Sequence, residues 1–163
     1  MRTVERSSSL PLAAERVWAR VVTEEGINHE LSPILRMTMP AGLRGRTVDD
    51  VAVGEPLGRS WLLLGGLLPV DFDELQLAEL EPGRRFLERS QTLAFAVWEH
   101  ERVIEELGEG ACRVSDRLGF ELRPGLRRVP GAGALAATIV GALFAHRHRR
   151  LRAWAGETEA RTR

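Results

Sequence analysis

Trp98-Glu99-His100-Glu101-Arg102-Val103-Ile104-Glu105-Glu106-Leu107-Gly108-Glu109-Gly110-Ala111-Cys112-Arg113-Val114-Ser115-Asp116-Arg117-Leu118-Gly119-Phe120 reads as two strands joined by a turn at Gly108-Glu109-Gly110. Symmetric pairing about Glu109 sets Glu105 opposite Arg113 and Glu101 opposite Arg117. Opposite charges facing across a ladder are favourable, and a one-residue slip would send every side chain to the other face. The same register sets Trp98 against Phe120, His100 against Leu118, Arg102 against Asp116 and Ile104 against Val114. One face is therefore charged and wet. The other is aromatic and aliphatic, with His100, Arg102 and Asp116 as its odd members.

Turn residues continue the strand pattern upstream. Breaks fall at Pro40-Ala41-Gly42, Gly54-Glu55-Pro56, Gly65-Gly66, Glu81-Pro82-Gly83 and Gly108-Glu109-Gly110. They divide Ile34 to Leu122 into six or so antiparallel strands. Val4 to Leu10 reads as a further short strand ended by Pro11. Val17, Trp18, Val21 and Val22 recur at helical spacing over Leu12 to Val22. Thr23 caps a second helix, with Glu24 and Glu25 in the first turn and Ser32-Pro33 as its stop.

At the other end, Pro124 to Gly133 reads as a linker into a long helix from about Ala134 to Ala155. At about 100° per residue, Leu135, Ile139, Val140, Leu143, Phe144, Leu151 and Trp154 form one apolar stripe. So long a stripe needs an extended apolar surface, and the concave face of the sheet is the candidate. The expectation is one α+β domain over residues 1–155, followed by a flexible tail over 156–163.

Strand, two short helices, six strands and a long C-terminal helix is an order that resembles the START-like, or SRPBCC, superfamily, with its polyketide cyclase/dehydrase-like members. Particular stretches are similar to bacterial members: Val17-Trp18, Arg59-Ser60-Trp61 leading into Leu67-Leu68-Pro69-Val70-Asp71, and Glu79-Leu80-Glu81-Pro82-Gly83-Arg84-Arg85-Phe86. So are Trp98-Glu99-His100 and Ser115 to Leu122. The resemblance spans about residues 3–155. It implies a helix-grip fold, a curved antiparallel sheet of about seven strands around the last helix, with a cavity between them. It implies no particular catalytic residue, because such folds host carriers, cyclases and hydrolases alike.

Composition narrows the chemistry. The chain has 163 residues, enough for one core, with 23 acids balancing 23 bases. No global field favours nucleic acid or an anionic membrane. Every base is arginine and there is no tyrosine, which excludes lysine Schiff-base chemistry and tyrosine proton transfer. Cys112 is the only cysteine, so no internal disulfide forms. The charged start Met1-Arg2-Thr3-Val4-Glu5-Arg6 carries no apolar signal region. The longest apolar stretch, Ala132 to Ala145, is shorter than the roughly 20 residues of a membrane span. A cytoplasmic location is the default expectation, with monomer and homodimer both open.

The candidate ligand-binding residues are Trp98, His100, Arg102, Asp116, Leu118, Phe120, Ile139, Leu143 and Arg147. Asp116 either orients His100 or Arg102 toward a ligand, or simply satisfies Arg102, since a buried charge must find a partner. Arg147 either reaches into the cavity as an anion anchor or snorkels outward. His146 and His148 lie two apart on a helix and cannot share a metal. The run Arg147 to Arg152 lacks the aromatic interleaving of a nucleic-acid surface. Asp49-Asp50 and Asp71/Asp73 read as solvated strand ends rather than a Ca²⁺ site. Gly131-Ala132-Gly133-Ala134-Leu135-Ala136 loosely matches a dinucleotide fingerprint, but no βαβ unit surrounds it. No cofactor is expected. A carrier of a hydrophobic or amphipathic small molecule (lipid, isoprenoid or polyketide-like) is the first reading. An aromatase/cyclase-type enzyme and a protein-docking module with a vestigial cavity are the alternatives.

Overall fold

The structure, a computed structural model, describes residues 1–161. Its elements run β1 (Arg2–Leu10), α1 (Ala14–Val21), α2 (Glu24–Leu31), β2 (Leu35–Met37), β3 (Pro56–Leu64), β4 (Leu68–Glu81), β5 (Arg85–Ser90), β6 (Phe95–Gly108), β7 (Ala111–Leu122), α3 (Pro124–Arg127) and α4 (Ala132–Ala160). Seven strands form one antiparallel sheet in the order β1-β7-β6-β5-β4-β3-β2. The sheet curls around α4, which packs over β1 and against α2. This is the helix-grip arrangement.

The β6–β7 register is the one its charges and turn dictate. Trp98 faces Phe120, His100 faces Leu118, Arg102 faces Asp116, and Glu105 faces Arg113. The outer charges then reach sideways instead of straight across. Glu101 pairs with Arg85 of β5 at 2.6 Å, and Arg117 with Glu5 of β1 at 3.6 Å. Thr23 caps α2 as expected, its hydroxyl accepting from the Gly26 amide at 3.1 Å.

Two expectations change between Pro40 and Phe95. The stretch between the breaks at Gly42 and Gly54 is not a strand; it forms two short 3-10 turns, Ala41–Leu43 and Val48–Asp50. Its apolar residues Leu43 and Val51 cover the inner face of the sheet, so they serve packing rather than a ladder. An extra break at residues 91–94 separates β5 from β6. There Thr92 Oγ1 accepts the amides of Ala94 and Phe95, a local turn that competes with the ladder.

The last helix also departs from expectation. It runs from Ala132 to Ala160, so the segment from Gly156 is helical well into the expected tail; Thr162 and Arg163 lie outside the described residues. The buried face carries Val140, Gly141, Phe144, Arg147, His148, Leu151 and Ala155. Leu135 and Ile139, placed on that face by periodicity, are 62% and 58% exposed. The cause is a close approach to β1: the Gly133 and Gly141 Cα positions face Arg2, Val4 and Arg6, which turns the helix away from the expected stripe. Leu118, Phe120, Val140 and Phe144 form the core beneath it, with Phe95 and Trp98 at the margin. Burying each large side chain there contributes about 1.5–3 kcal/mol.

Candidate functional site

Two polar clusters lie on the inner face of the sheet. The first is built on Arg102 and Asp116, 1% exposed each. Arg102 Nε and Nη2 donate to Asp116 Oδ1 and Oδ2 at 2.7 and 2.8 Å. Its Nη1 and Nη2 donate to Glu30 Oε1 and Oε2 of α2 at 2.8 and 2.9 Å. One guanidinium is thus held edge-on by two carboxylates, the geometry in which arginine forks bind most strongly. Asp116 also accepts from His100 Nε2 and His148 Nε2, both at 2.9 Å. An ionised carboxylate only accepts, so both ring protons sit on Nε2. His148 Nδ1 lies 2.9 Å from Ser8 Oγ, and Arg147 Nε donates to Glu30 Oε2 at 3.0 Å.

Two guanidiniums, Arg102 and Arg147, therefore stand against two carboxylates, Glu30 and Asp116. Burial alone would raise both acids. The Arg102 charge outweighs it, holding Asp116 well below the usual carboxylate range and, with Arg147, lowering Glu30. Burial pulls His100 down, with Asp116 opposing. This cluster ties α2, β1, β6, β7 and α4 together. We call it the clamp.

The sequence expectation of a close Arg102–Asp116–His100 group is met, and all three point inward. Their hydrogen bonds, however, go to one another and to Glu30. Arg147 does not snorkel; it turns inward with its guanidinium 4.7 Å over the Phe144 ring. His146 and His148 diverge as the helix requires, His146 Nε2 meeting the Ser32 carbonyl at 2.8 Å. Trp98 lies on the inner face, its ring 6.3 Å from Phe120. Leu118 and Phe120 are sealed beneath Val140 and Phe144, so the expected cavity wall at that point is packed core. Leu143 is half-buried and Ile139 faces outward.

Sequence reading missed Glu30 and His148. A signal existed for Glu30: it follows Gly26 by four residues and adjoins Leu31, which places it on the inward face of α2.

The second cluster lies further across the sheet, on β3, β4 and β5. Ser60 pairs across strands with Asp73. Asp73 is 7% exposed, not a solvated strand end, because its parity on β4 matches the buried Leu75 and Leu77. Burial first, then the neighbouring Asp73 carboxyl, pushes Glu88 well above the usual carboxylate range. Burial raises Asp73 too, with Ser90 and then Glu88 opposing. Ser90 Oγ lies 3.1 Å from Glu88 Oε1. His100 Nδ1, at 3.9 Å from Glu88 Oε2, links the two clusters without a hydrogen bond. Ser60 Oγ and Asp73 Oδ1 are buried and have no hydrogen-bond partner.

A depression of about 880 Å³ crosses β3 to β6, with the inward-facing Leu75, Ser90 and Trp98 among its lining. Its rim includes Arg59, Glu74, Arg89 and Glu99, which pair as Arg59–Glu74 and Arg89–Glu99. Among the described residues no helix is long and apolar enough to cross a membrane.

The sequence profile of a family described as a domain of unknown function (DUF8410) matches residues 8–155. No curated protein matches. Among solved structures, the chain is similar to a START superfamily protein from Mycobacterium smegmatis, with a TM-score of 0.68 at 15% identity, covering 96% of this chain and 98% of that one. It is also similar to the Zhui aromatase/cyclase from Streptomyces sp. R1128, with a TM-score of 0.70 at 16% identity, covering 99% and 96%. The fold is the START-like, SRPBCC fold.

Proposed function

We propose, for a chain that belongs to the DUF8410 family of domains of unknown function and has the START-like fold, that it binds and carries a small amphipathic molecule. The ligand is lipid-, isoprenoid- or polyketide-like. The supporting observation is a half-covered apolar stripe on α4. Leu135, Ile139, Leu143, His146 and Arg150 fall within about 80° of one another around the helix. The lower part of that stripe docks on α2, through His146 to the Ser32 carbonyl and Arg150 to the His29 carbonyl. The upper part, Leu135 and Ile139, is bare. A ligand tail laid along it toward Leu143 removes that apolar surface from water, a gain of roughly 25 cal/mol per Å².

The clamp argues against catalysis by His100, Arg102 and Asp116, whose polar atoms are bonded within the protein. The aromatase/cyclase reading draws its support from the likeness to the Zhui enzyme, and turnover of a poly-keto chain would establish it. Native mass spectrometry of protein purified from its own host tests the carrier reading. A co-purified amphipathic molecule is expected; protein free of ligand that also binds no apolar-tailed probe would contradict it.

A further inference from the structure

We propose that Ser60 and Asp73 are the seat for the polar end of that ligand, and that the group seated there is a protonated primary amine. The inference rests on the small-molecule reading above and deepens it.

The clamp and the seat differ in their partners. Among the described residues every clamp carboxylate lies against a guanidinium, whereas Asp73 and Glu88 have none in ion-pair contact. Arg147 acts on Glu88 only through space, because its own bonds go to Glu30. The two carboxyls, both raised by burial, face each other beside two serines with no guanidinium among the described residues in contact with them. Unpaired charge in such a place is costly unless a cation joins it.

The unpartnered atoms add direction to the charge. Asp73 Oδ1, when the carboxyl is ionised, is an unpartnered acceptor, and Ser60, 0% exposed, presents its Oγ from the facing position on β3. An ammonium donates to both at once and supplies the missing positive charge, a charge-assisted bond about twice as strong as a neutral one. A hydroxyl could bridge the same two atoms but would leave the charge in place. A carboxylate would bring a second negative charge and is rejected. Arg147, whose charge reaches Glu88, follows Leu143 by one helical turn.

The test compares three probes sharing one tail: dodecylammonium, dodecan-1-ol and dodecanoate, each below micelle-forming concentration, by displacement of an apolar dye at neutral pH. The parent protein is expected to bind dodecylammonium about tenfold or more tightly than dodecan-1-ol, as loss of a buried ion pair would give, and dodecanoate least. Asp73→Asn is expected to abolish that preference, bringing dodecylammonium down to the affinity of dodecan-1-ol. Ser60→Ala should reduce the preference severalfold, and keeps the test decisive if Asp73→Asn does not fold. Equal binding of all three probes, or a preference for dodecan-1-ol, overturns the amine assignment while leaving the carrier reading intact. Affinities unaltered by both substitutions would mean that the two atoms hold only water, and the seat falls. If no probe binds at all, the carrier reading falls first.

Discussion

The interior holds two buried polar clusters on one sheet face, and they solve the problem of burial in opposite ways. In the clamp, Glu30, Arg102, Asp116 and Arg147 balance charge for charge, and Asp116 alone accepts four hydrogen bonds. At the seat, Asp73 and Glu88 meet each other rather than a cation, and two oxygens stay unpartnered. A balanced cluster depresses its acids and joins distant elements. An unbalanced one raises its acids and leaves acceptor capacity directed inward. The contrast separates groups that hold the fold from groups that await something else.

The largest expected effect is loss of the clamp's central cation. Arg102→Met strands Asp116 and Glu30, each buried, and should cost about 3–5 kcal/mol in urea unfolding. Adding Asp116→Leu should recover part of it, giving a coupling energy above about 1 kcal/mol in a double-mutant cycle. Strict additivity would show that the two do not form one unit.

Acid should separate the clusters next. Asp116 and Glu30 have depressed folded values, so their stabilisation is complete above the unfolded carboxylate range of about 4 and is lost as pH falls through the folded values. Glu88 has the opposite sign. Its stability contribution is complete below about 4.3 and declines as pH rises toward its folded value. Glu88→Gln mimics the protonated acid, so it should stabilise the protein above about pH 5 and match the parent near pH 4. Unfolding curves across this range that never converge would contradict the assignment.

Smaller effects belong to the surface. Ile139→Arg changes an exposed position on a helix that tolerates arginine well, so stability should move within about 0.5 kcal/mol. Binding of an apolar-tailed probe should nevertheless weaken, because the new charge must be desolvated beside the tail. Undiminished binding would place the tail elsewhere. Arg89→Ala removes an exposed partner of Glu99 and should cost less than about 1 kcal/mol.

The sequence was most legible where local signals agreed. The β6–β7 register followed from a turn of fixed length with charges matched on both sides, and it placed Arg102 against Asp116 correctly. Helix periodicity was less informative. It gave Leu135 and Ile139 the same standing as Val140, because hydrophobicity alone cannot register that Gly133 and Gly141 let α4 settle against β1. The clamp's third element, Glu30, is remote in sequence and came from a helix whose acids looked like dipole partners. The seat was hidden for a different reason. Asp73 shares its face with Leu75 and Leu77, but β4 carries polar residues on both faces, so alternation alone does not single it out for burial.

The central claim, that one cluster is balanced and the other is not, meets its most direct test in a pair of neutral isosteres measured side by side. Asp116→Asn and Asp73→Asn each remove one buried carboxylate, and urea unfolding at pH 8 without ligand compares them. Asp116→Asn is expected to lose several kcal/mol, since it leaves Arg102 underpaired and replaces an acceptor of two imidazole protons. Asp73→Asn is expected to equal or exceed the parent in stability, because it removes a charge with no cation beside it. Losses of similar size in both variants would show that the seat is as firmly paired as the clamp, and the account would fail.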